Sequence, residues 1–397
     1  MTERNRRFLL HERPQGRIGP TTFDLVEEDV PQPGEGEALV RTEWISLDPT
    51  NRAWLKETPT YLPPVGIGEV MRALGLGRVV ASNHPRYAEG QLVQGLTGWQ
   101  EWVVASDSAP LLPVPDLGDT SPSFALGALG MTGLTAWVGL TDIGKPQPGE
   151  TVVVSAAAGA VGSVAAQIAK IKGARVVGIA GGPQKCALLT DQLGLDAAVD
   201  HRADDWHDDL VEATPDGIDV DFENVGGPIM EAIFARLNLR ARIALCGFIA
   251  DYNSNEPPTP PRSFGNLLRQ RALCQGFLVL DHFHRVPEAV KDIATWISEG
   301  RLTPLETVVE GFDQLPTAIN MLFDGANVGK LVVKISTLYL EHYGFGQKPA
   351  TPVKRYFCRS RTKSNSRIEL KGTRLERAGT EIHGDVVGIG PLSKHLD

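Results

Sequence analysis

Thr151-Val-Val-Val-Ser-Ala-Ala-Ala-Gly-Ala-Val-Gly162 decides the fold. A β-branched, uncharged strand runs into a turn of small residues, and the turn opens a helical segment over 160–172. The turn has the form Ala-x-Gly-x-x-Gly, with Ala157 in the first glycine position of the dinucleotide fingerprint. There the chain must bend sharply, bring backbone N–H groups of Gly159, Ala160 and Val161 toward a pyrophosphate, and pack helix on strand at Gly162. By itself the pattern also fits an ordinary packed helix start. Position separates the two, because four further strand–helix units follow it. The uncharged stretch runs for 19 residues, Thr151 to Ala169, but Gly159 and Gly162 break it, so it reads as strand, turn and buried helix and not as a membrane span.

Downstream, strands are expected at 151–155, 175–180, 197–200, 218–224, 242–247 and 273–280, with helices near 160–172, 183–193, 205–213, 227–238, 262–271 and 286–299. Six strands alternating with helices is the count of a doubly wound parallel sheet. The run Pro257-Pro-Thr-Pro-Pro261 is expected to be a loop. Upstream, residues 1–125 carry short apolar runs between Pro and Gly clusters, the texture of a compact β domain. That texture returns after Gly300 and ends in Gly329-Lys-Leu-Val-Val-Lys-Ile335, so the closing stretch is expected to rejoin the first domain. The expected division is 1–126 and 300–336 for the β-rich part, 127–299 for the nucleotide-binding part, and 337–397 for a disordered basic tail.

The whole chain fits this plan. Its 397 residues exceed one core, which stops growing at roughly 250–300 residues. The net charge of −9 is uneven: residues 337–397 hold 11 Lys/Arg and 6 Asp/Glu, which leaves 28 against 42 in the body. An acidic body has no electrostatic reason to bind nucleic acid or a membrane, so the partner expected is a small molecule. Four cysteines at wide spacings, with no CxxC pair and no signal-peptide core at the N-terminus, indicate a reducing, cytoplasmic setting. Residues 1–125 contain no cysteine, which disfavours a catalytic zinc held by thiolates, and no metal is expected.

The second strand selects the nucleotide. Val176-Val-Gly-Ile-Ala runs into Gly181-Gly182 with no acid before Asp191, so nothing there repels a 2′-phosphate. Lys185 follows as a cation and His201 stands near the end of the third strand, which favours NADPH. Two patterns attract less. His282-Phe-His284 has no third ligand in sequence, and Asp204-Asp-Trp-His-Asp-Asp209 reads as an acidic helix start.

Several strings occur in an order that resembles the zinc-independent, NADPH-dependent alkenal/one reductases of the medium-chain dehydrogenase/reductase superfamily, which include curcumin and leukotriene/prostaglandin reductases. They are Ser46-Leu-Asp-Pro49, Gly98-Trp-Gln100, Gly130-Met-Thr-Gly-Leu-Thr-Ala136, Glu223-Asn-Val-Gly-Gly227, Cys246-Gly247, Tyr252-Asn253 and Gly325-Ala-Asn-Val-Gly-Lys330. The resemblance spans about 5–336. It implies an α/β fold, a Rossmann doubly wound parallel sheet inserted in a β-rich GroES-like catalytic domain, and a homodimer joined through the sheet edges. It also implies that Met131, Thr135, Gly181, Asn224, Cys246, Gly247 and Asn327 meet the cofactor, and that the Tyr252 phenol points at the carbonyl oxygen of an enal or enone. Hydride addition to the β-carbon then drives charge onto that oxygen, where a neutral phenol donates more strongly. Two departures bear on the substrate: Thr50 stands where relatives carry an aromatic residue, and Thr132 where they carry proline. Tyr61, Trp99, Phe248, Phe277 and Leu278 are the apolar candidates for a pocket wall. A quinone reductase and a non-catalytic NADPH-binding protein use the same cofactor motif, and the sequence leaves both open beside the alkenal reductase.

Overall fold

A computed structural model describes residues 3–58, 60–115, 117, 120–254 and 259–335, together with the backbone of 356–357. Strands β1 (Arg4–Leu10) and β2 (Phe23–Asp29) form a hairpin over a larger sheet. That sheet contains β3 (Ala38–Leu47), β4 (Gly75–Ser82), β5 (Leu92–Gly95), β6 (Trp102–Ala105) and β7 (Leu112–Pro113), with the short helix α1 (Pro49–Ala53) after β3. The chain then leaves this sheet. Helix α2 (Met131–Val138) and a π-helical turn, Gly139–Gly144, lead into the second sheet.

The second sheet holds β8 (Thr151–Val154), β9 (Arg175–Ala180), β10 (Ala197–Asp200), β11 (Ile218–Glu223), β12 (Leu237–Leu245) and β13 (Leu273–Gly276). Between them run α3 (Ala160–Ile171), α4 (Pro183–Asp191), α5 (Trp206–Ala213), α6 (Gly227–Ala235) and α7 (Asn266–Gln270), and α8 (Val286–Ser298) follows. All six strands are parallel, in the order β10-β9-β8-β11-β12-β13. This is a doubly wound α/β sheet with its switch point between β8 and β11, where the carboxyl ends of the strands open a crevice. Every residue of β8 is buried, as a strand covered by helices on both faces requires. Apolar clusters fill both sides, one around Trp137, Phe222 and Ile168, the other around Ile179, Ile233 and Phe234.

Some boundaries differ from the expected ones. The helix expected to reach 238 ends at Ala235, because β12 starts at Leu237 and pairs with Ile218. The segment expected as a helix over 262–271 is a 3-10 turn, Arg262–Gly265, followed by the five residues of α7. The last strand stops at Gly276, four residues early. In the Pro-rich run, 259–261 have no regular structure and Pro257 and Pro258 lie outside the described residues.

Strands β14 (Glu306–Glu310) and β15 (Lys330–Lys334) lie in the first sheet, where β15 runs antiparallel to β3 with Leu331 opposite Leu47. Phe312, between them, stacks on Phe8 of β1 at 5.1 Å between ring centroids. Trp99 is fully buried between Phe8 and Phe23, so it is core and not pocket wall. Phe277 also packs inward, against Phe222 and close under Gly139. In the basic tail only Tyr356–Phe357 is described, as a two-residue strand β16 parallel to β14 where the sequence shows no strand period; the disorder expected for the rest lies outside the described residues.

Candidate active site

The turn after β8 is tight for a reason its residues make visible. Ala156 adopts a left-handed backbone (φ 48°), and its carbonyl then sits where a Cβ on Gly162 would come within 2.3 Å. Gly162 is therefore fixed by packing, and Gly159 more loosely, since its Cβ would stand 3.1 Å from the same oxygen. Ala157 is fully buried and donates from its N–H to Ile179 O at 2.9 Å, which leaves it structural. Ala160 and Val161 begin α3 behind it, at the helix end that favours an anion. The closing segment is stitched to this turn: Gly329 N–H donates to Ala158 O at 2.7 Å.

At the neighbouring strand ends, cations gather. A Cβ on Gly181 would lie 2.8 Å from Arg202 Nε and 3.0 Å from His201 Nε2; one on Gly325 would lie 2.7 Å from Arg202 Nη2 and 3.9 Å from Lys185 Nζ. Lys185, His201 and Arg202 thus surround the same spot. Burial, with Arg202 close by, pushes the Lys185 ammonium and the His201 imidazole below their ordinary pKa values, so His201 is neutral at pH 7. The nearest acid, Asp200, turns its Oδ1 onto the N–H groups of Gly182 (2.7 Å) and Arg202 (3.0 Å). Arg202 is missing from the residues expected for this site. Its sequence signal was available, since it follows His201 directly beyond β10, but only the fold folds its guanidinium back over Gly181.

The end of β11 is held from below by Glu223. Its Oε1 accepts from Ser155 Oγ (2.8 Å), Val225 N (2.5 Å) and Gly226 N (2.9 Å). Asn224 Nδ2 donates to Ser155 O at 2.7 Å. That N–H ties two strand ends together. Asn327 is buried and donates to Gly329 O at 3.0 Å, closing its own turn. Thr135 likewise spends its hydroxyl on Met131 O at 2.8 Å within α2. Met131 opens α2 half-buried, and Gly133 lies so close to Ala128 O that any side chain is excluded.

Beyond β12 the chain turns at Cys246 and Gly247, whose N–H groups both donate to Glu223 O (2.9 and 3.1 Å). Burial, reinforced by Glu223, pushes the Cys246 thiol up to about 12, so it carries no thiolate. A Cβ on Gly247 would stand 3.2 Å from the Tyr252 hydroxyl. Tyr252 therefore reaches back over the strand end. Burial raises its pKa above the ordinary value, which keeps the phenol protonated. Facing it from the first sheet, Tyr61 is hydrogen-bonded through its hydroxyl to Thr50 Oγ1, so the position where the aromatic residue is lost has become a pair of hydroxyls. Asn51 and Arg52, also in α1, are buried and bond backbone carbonyls. Phe248 is 37% exposed beside Gly226, on the same side as Tyr252. Leu278 precedes the 3-10 turn that carries His282 and His284, whose rings stack 6.4 Å apart beside Asp142. Among the described residues no three His, Cys, Asp or Glu side chains come together in a way that could hold a metal ion.

Comparison with known proteins agrees with this geometry. Residues 6–114 match a family model described as the N-terminal domain of oxidoreductase, and residues 160–295 match one described as zinc-binding dehydrogenase. The chain is 43% identical over 341 residues to the NADPH-dependent curcumin reductase of Escherichia coli, which covers 84% of this chain and 98% of that one. It is 36% identical over 305 residues to the 2-alkenal reductase (NADP(+)-dependent) of Nicotiana tabacum, covering 76% and 88%. Among solved structures, CurA in complex with NADPH from Vibrio vulnificus superimposes with a TM-score of 0.80 at 41% identity, covering 84% of this chain and 99% of that one.

Proposed function

The chain belongs to the NADPH-dependent reductase family of the medium-chain dehydrogenases/reductases that includes the curcumin and alkenal reductases, and on that premise we propose that it reduces the α,β carbon–carbon double bond of enals and enones with NADPH. The residues fit the cofactor. Gly159 and Gly162 let the turn close tightly before α3, and Lys185 and Arg202, beside which Asp200 spends its Oδ1 on backbone N–H groups, suit the 2′-phosphate. When bound, NADPH supplies a hydride for the β-carbon. The observation that carries the reading is the Tyr252 hydroxyl, half-buried, protonated and held above Gly247 at the carboxyl end of β12. As the β-carbon gains the hydride, the electron pair of the double bond moves toward the substrate's carbonyl oxygen. Tyr252 donates to that oxygen more strongly as its charge grows, and a proton then completes the α-carbon. Thr50 and Tyr61 offer a second polar contact across the cleft.

Loss of NADPH absorbance with an enal, an enone, a quinone and a saturated aldehyde tests this. Oxidation with the enal and enone is expected. Oxidation with the quinone alone assigns a quinone reductase, and none with any acceptor assigns a cofactor-binding protein without this chemistry.

The division at 1–126, 127–299 and 300–336 is supported by the pairing of β15 with β3. A homodimer is supported by β13, which is the edge strand among the described residues, and by the exposure of Phe264, Leu268 and Leu273; a single monomeric species in sedimentation equilibrium removes that reading. Wide cysteine spacing supports a cytoplasmic setting, and among the described residues no helix is long and apolar enough to cross a membrane.

A further inference from the structure

Tyr252 stands on a loop with little reinforcement of its own. The segment 248–254 contains one 3-10 turn, Ile249–Asp251, with no buried residue in it. Its internal bonds are Asp251 N to Phe248 O (3.0 Å), Tyr252 N to Ile249 O (3.3 Å) and Ser254 N to Asp251 O (3.1 Å). Two more bonds tie its first half to the end of β11, Ile249 N to Asn224 O (3.1 Å) and Ala250 N to Val225 O (3.0 Å), whereas the N–H groups of Asp251, Tyr252 and Ser254 bond only within the loop. A half-loop held in this way does not by itself fix a phenol to the precision that a developing oxyanion requires.

A restraint on this second half comes from the side of the first sheet. Lys56, three residues beyond α1, donates from Nζ to Asp251 O (3.2 Å) and to Ser254 O (2.9 Å), the two carbonyls that bracket Tyr252 and Asn253. The base of this lysine is firm: Trp54 and Leu55 before it are buried, and its own N–H donates to Ala53 O at 3.2 Å. Arg52, one turn earlier, is anchored to Pro14 O and Gly16 O. Both hydrogen bonds of the ammonium end on backbone carbonyls of the Tyr252 loop.

We propose that Lys56 is a positioning residue, a clamp between the two sheets that holds the Tyr252 loop, and hence the phenol, in place over Gly247. The role of Tyr252 rests on the function proposed above; the clamp itself rests on the two hydrogen bonds. It makes the catalytic geometry depend on both sheets at once, because a shift of α1 against β12 is carried by Lys56 to the tyrosine.

The test uses the full chain with Lys56→Met and Lys56→Arg, each alone and combined with Tyr252→Phe. The first measurement is amide hydrogen exchange over 248–254, with no cofactor or substrate. Lys56→Met is expected to speed exchange there, and Lys56→Arg, which keeps the donors, to restore protection. The second is turnover with an enone. Lys56→Met is expected to lower kcat roughly tenfold when Tyr252 is present, but by no more than about twofold in the Tyr252→Phe background, since coupled residues are not additive. Unchanged exchange in Lys56→Met, or an equal loss of kcat in both backgrounds, overturns the clamp. Wild-type chain that does not oxidise NADPH with the enone refutes the function instead, and the exchange measurement still decides the clamp. Should Lys56→Met not fold, Lys56→Gln takes its place in every arm.

Discussion

Tyr252 and the cations around Gly181 do different work, and substitutions separate them. Removing the phenol oxygen takes away a donor that matters only as charge develops, so Tyr252→Phe is expected to lower kcat by about 10²-fold with the Kd of NADPH unchanged. Full turnover in that variant removes Tyr252 from the chemistry. On the proposed assignment, Lys185→Ala or Arg202→Ala removes a charge-assisted contact that only the phosphorylated nucleotide uses. The Kd of NADPH should rise by about tenfold or more, and that of NADH should stay nearly constant; equal losses for both, in a fluorescence titration, refute the assignment. Residue chemistry was partly legible in the chain. Lys185, His201 and Tyr252 could be found from spacing or resemblance, because each follows a recognisable strand end. Arg202 follows His201 directly, but its approach to Gly325, 123 residues further along the chain, is visible only in the fold. Asn224, Thr135 and Asn327 each also donate to a nearby carbonyl, contacts that residue type alone did not show.

Elements that carry the site meet at glycines whose freedom is used. Gly329, at the start of β15, takes φ 64°, and a Cβ there would lie 1.9 Å from Leu305 O. It also donates to Ala158 O, so it is the stitch between the closing segment and the turn before α3. Gly329→Ala combines a left-handed alanine with a backbone clash and is expected to cost on the order of 2 kcal/mol or more, seen as a lower Tm and a weaker affinity for NADPH together. An unchanged Tm refutes the stitch. Element type and order were readable from the sequence, most plainly at β8, β9 and β11, which are rich in β-branched residues. Element ends were less so. The register of β12 against Ile218 sets where α6 must stop, and pairing partners are not visible in a local window.

At the scale of the whole molecule, two buried carboxyls couple stability to pH. Asp221 and Glu223 point from β11 to the same face; both are fully buried, and neither oxygen of Asp221 has a partner among the described residues. Burial, with Glu223 adding to it, pushes the Asp221 pKa well above the ordinary carboxylate range near 4. An acid with a raised folded pKa stabilises fully below its unfolded pKa, and that contribution is lost as pH rises through the folded value. The difference in Tm between Asp221→Asn and wild type should therefore increase in favour of the variant as pH rises above about 4, because the amide does not titrate. A difference that stays constant with pH refutes the coupling. No sequence pattern predicts this pair; alternation places both side chains on one face, but only the helices packed over that face remove the water. The sequence by itself determined the parallel α/β sheet, the phosphate-binding turn and the preference for a 2′-phosphate, because periodicity, glycine conformation and charge act locally along the chain. The tertiary structure decided which polar groups remain free for a ligand and which are spent on neighbours, how Arg202 joins Lys185, and how Lys56 reaches across to the Tyr252 loop, because those depend on which distant segments the packed sheets bring together.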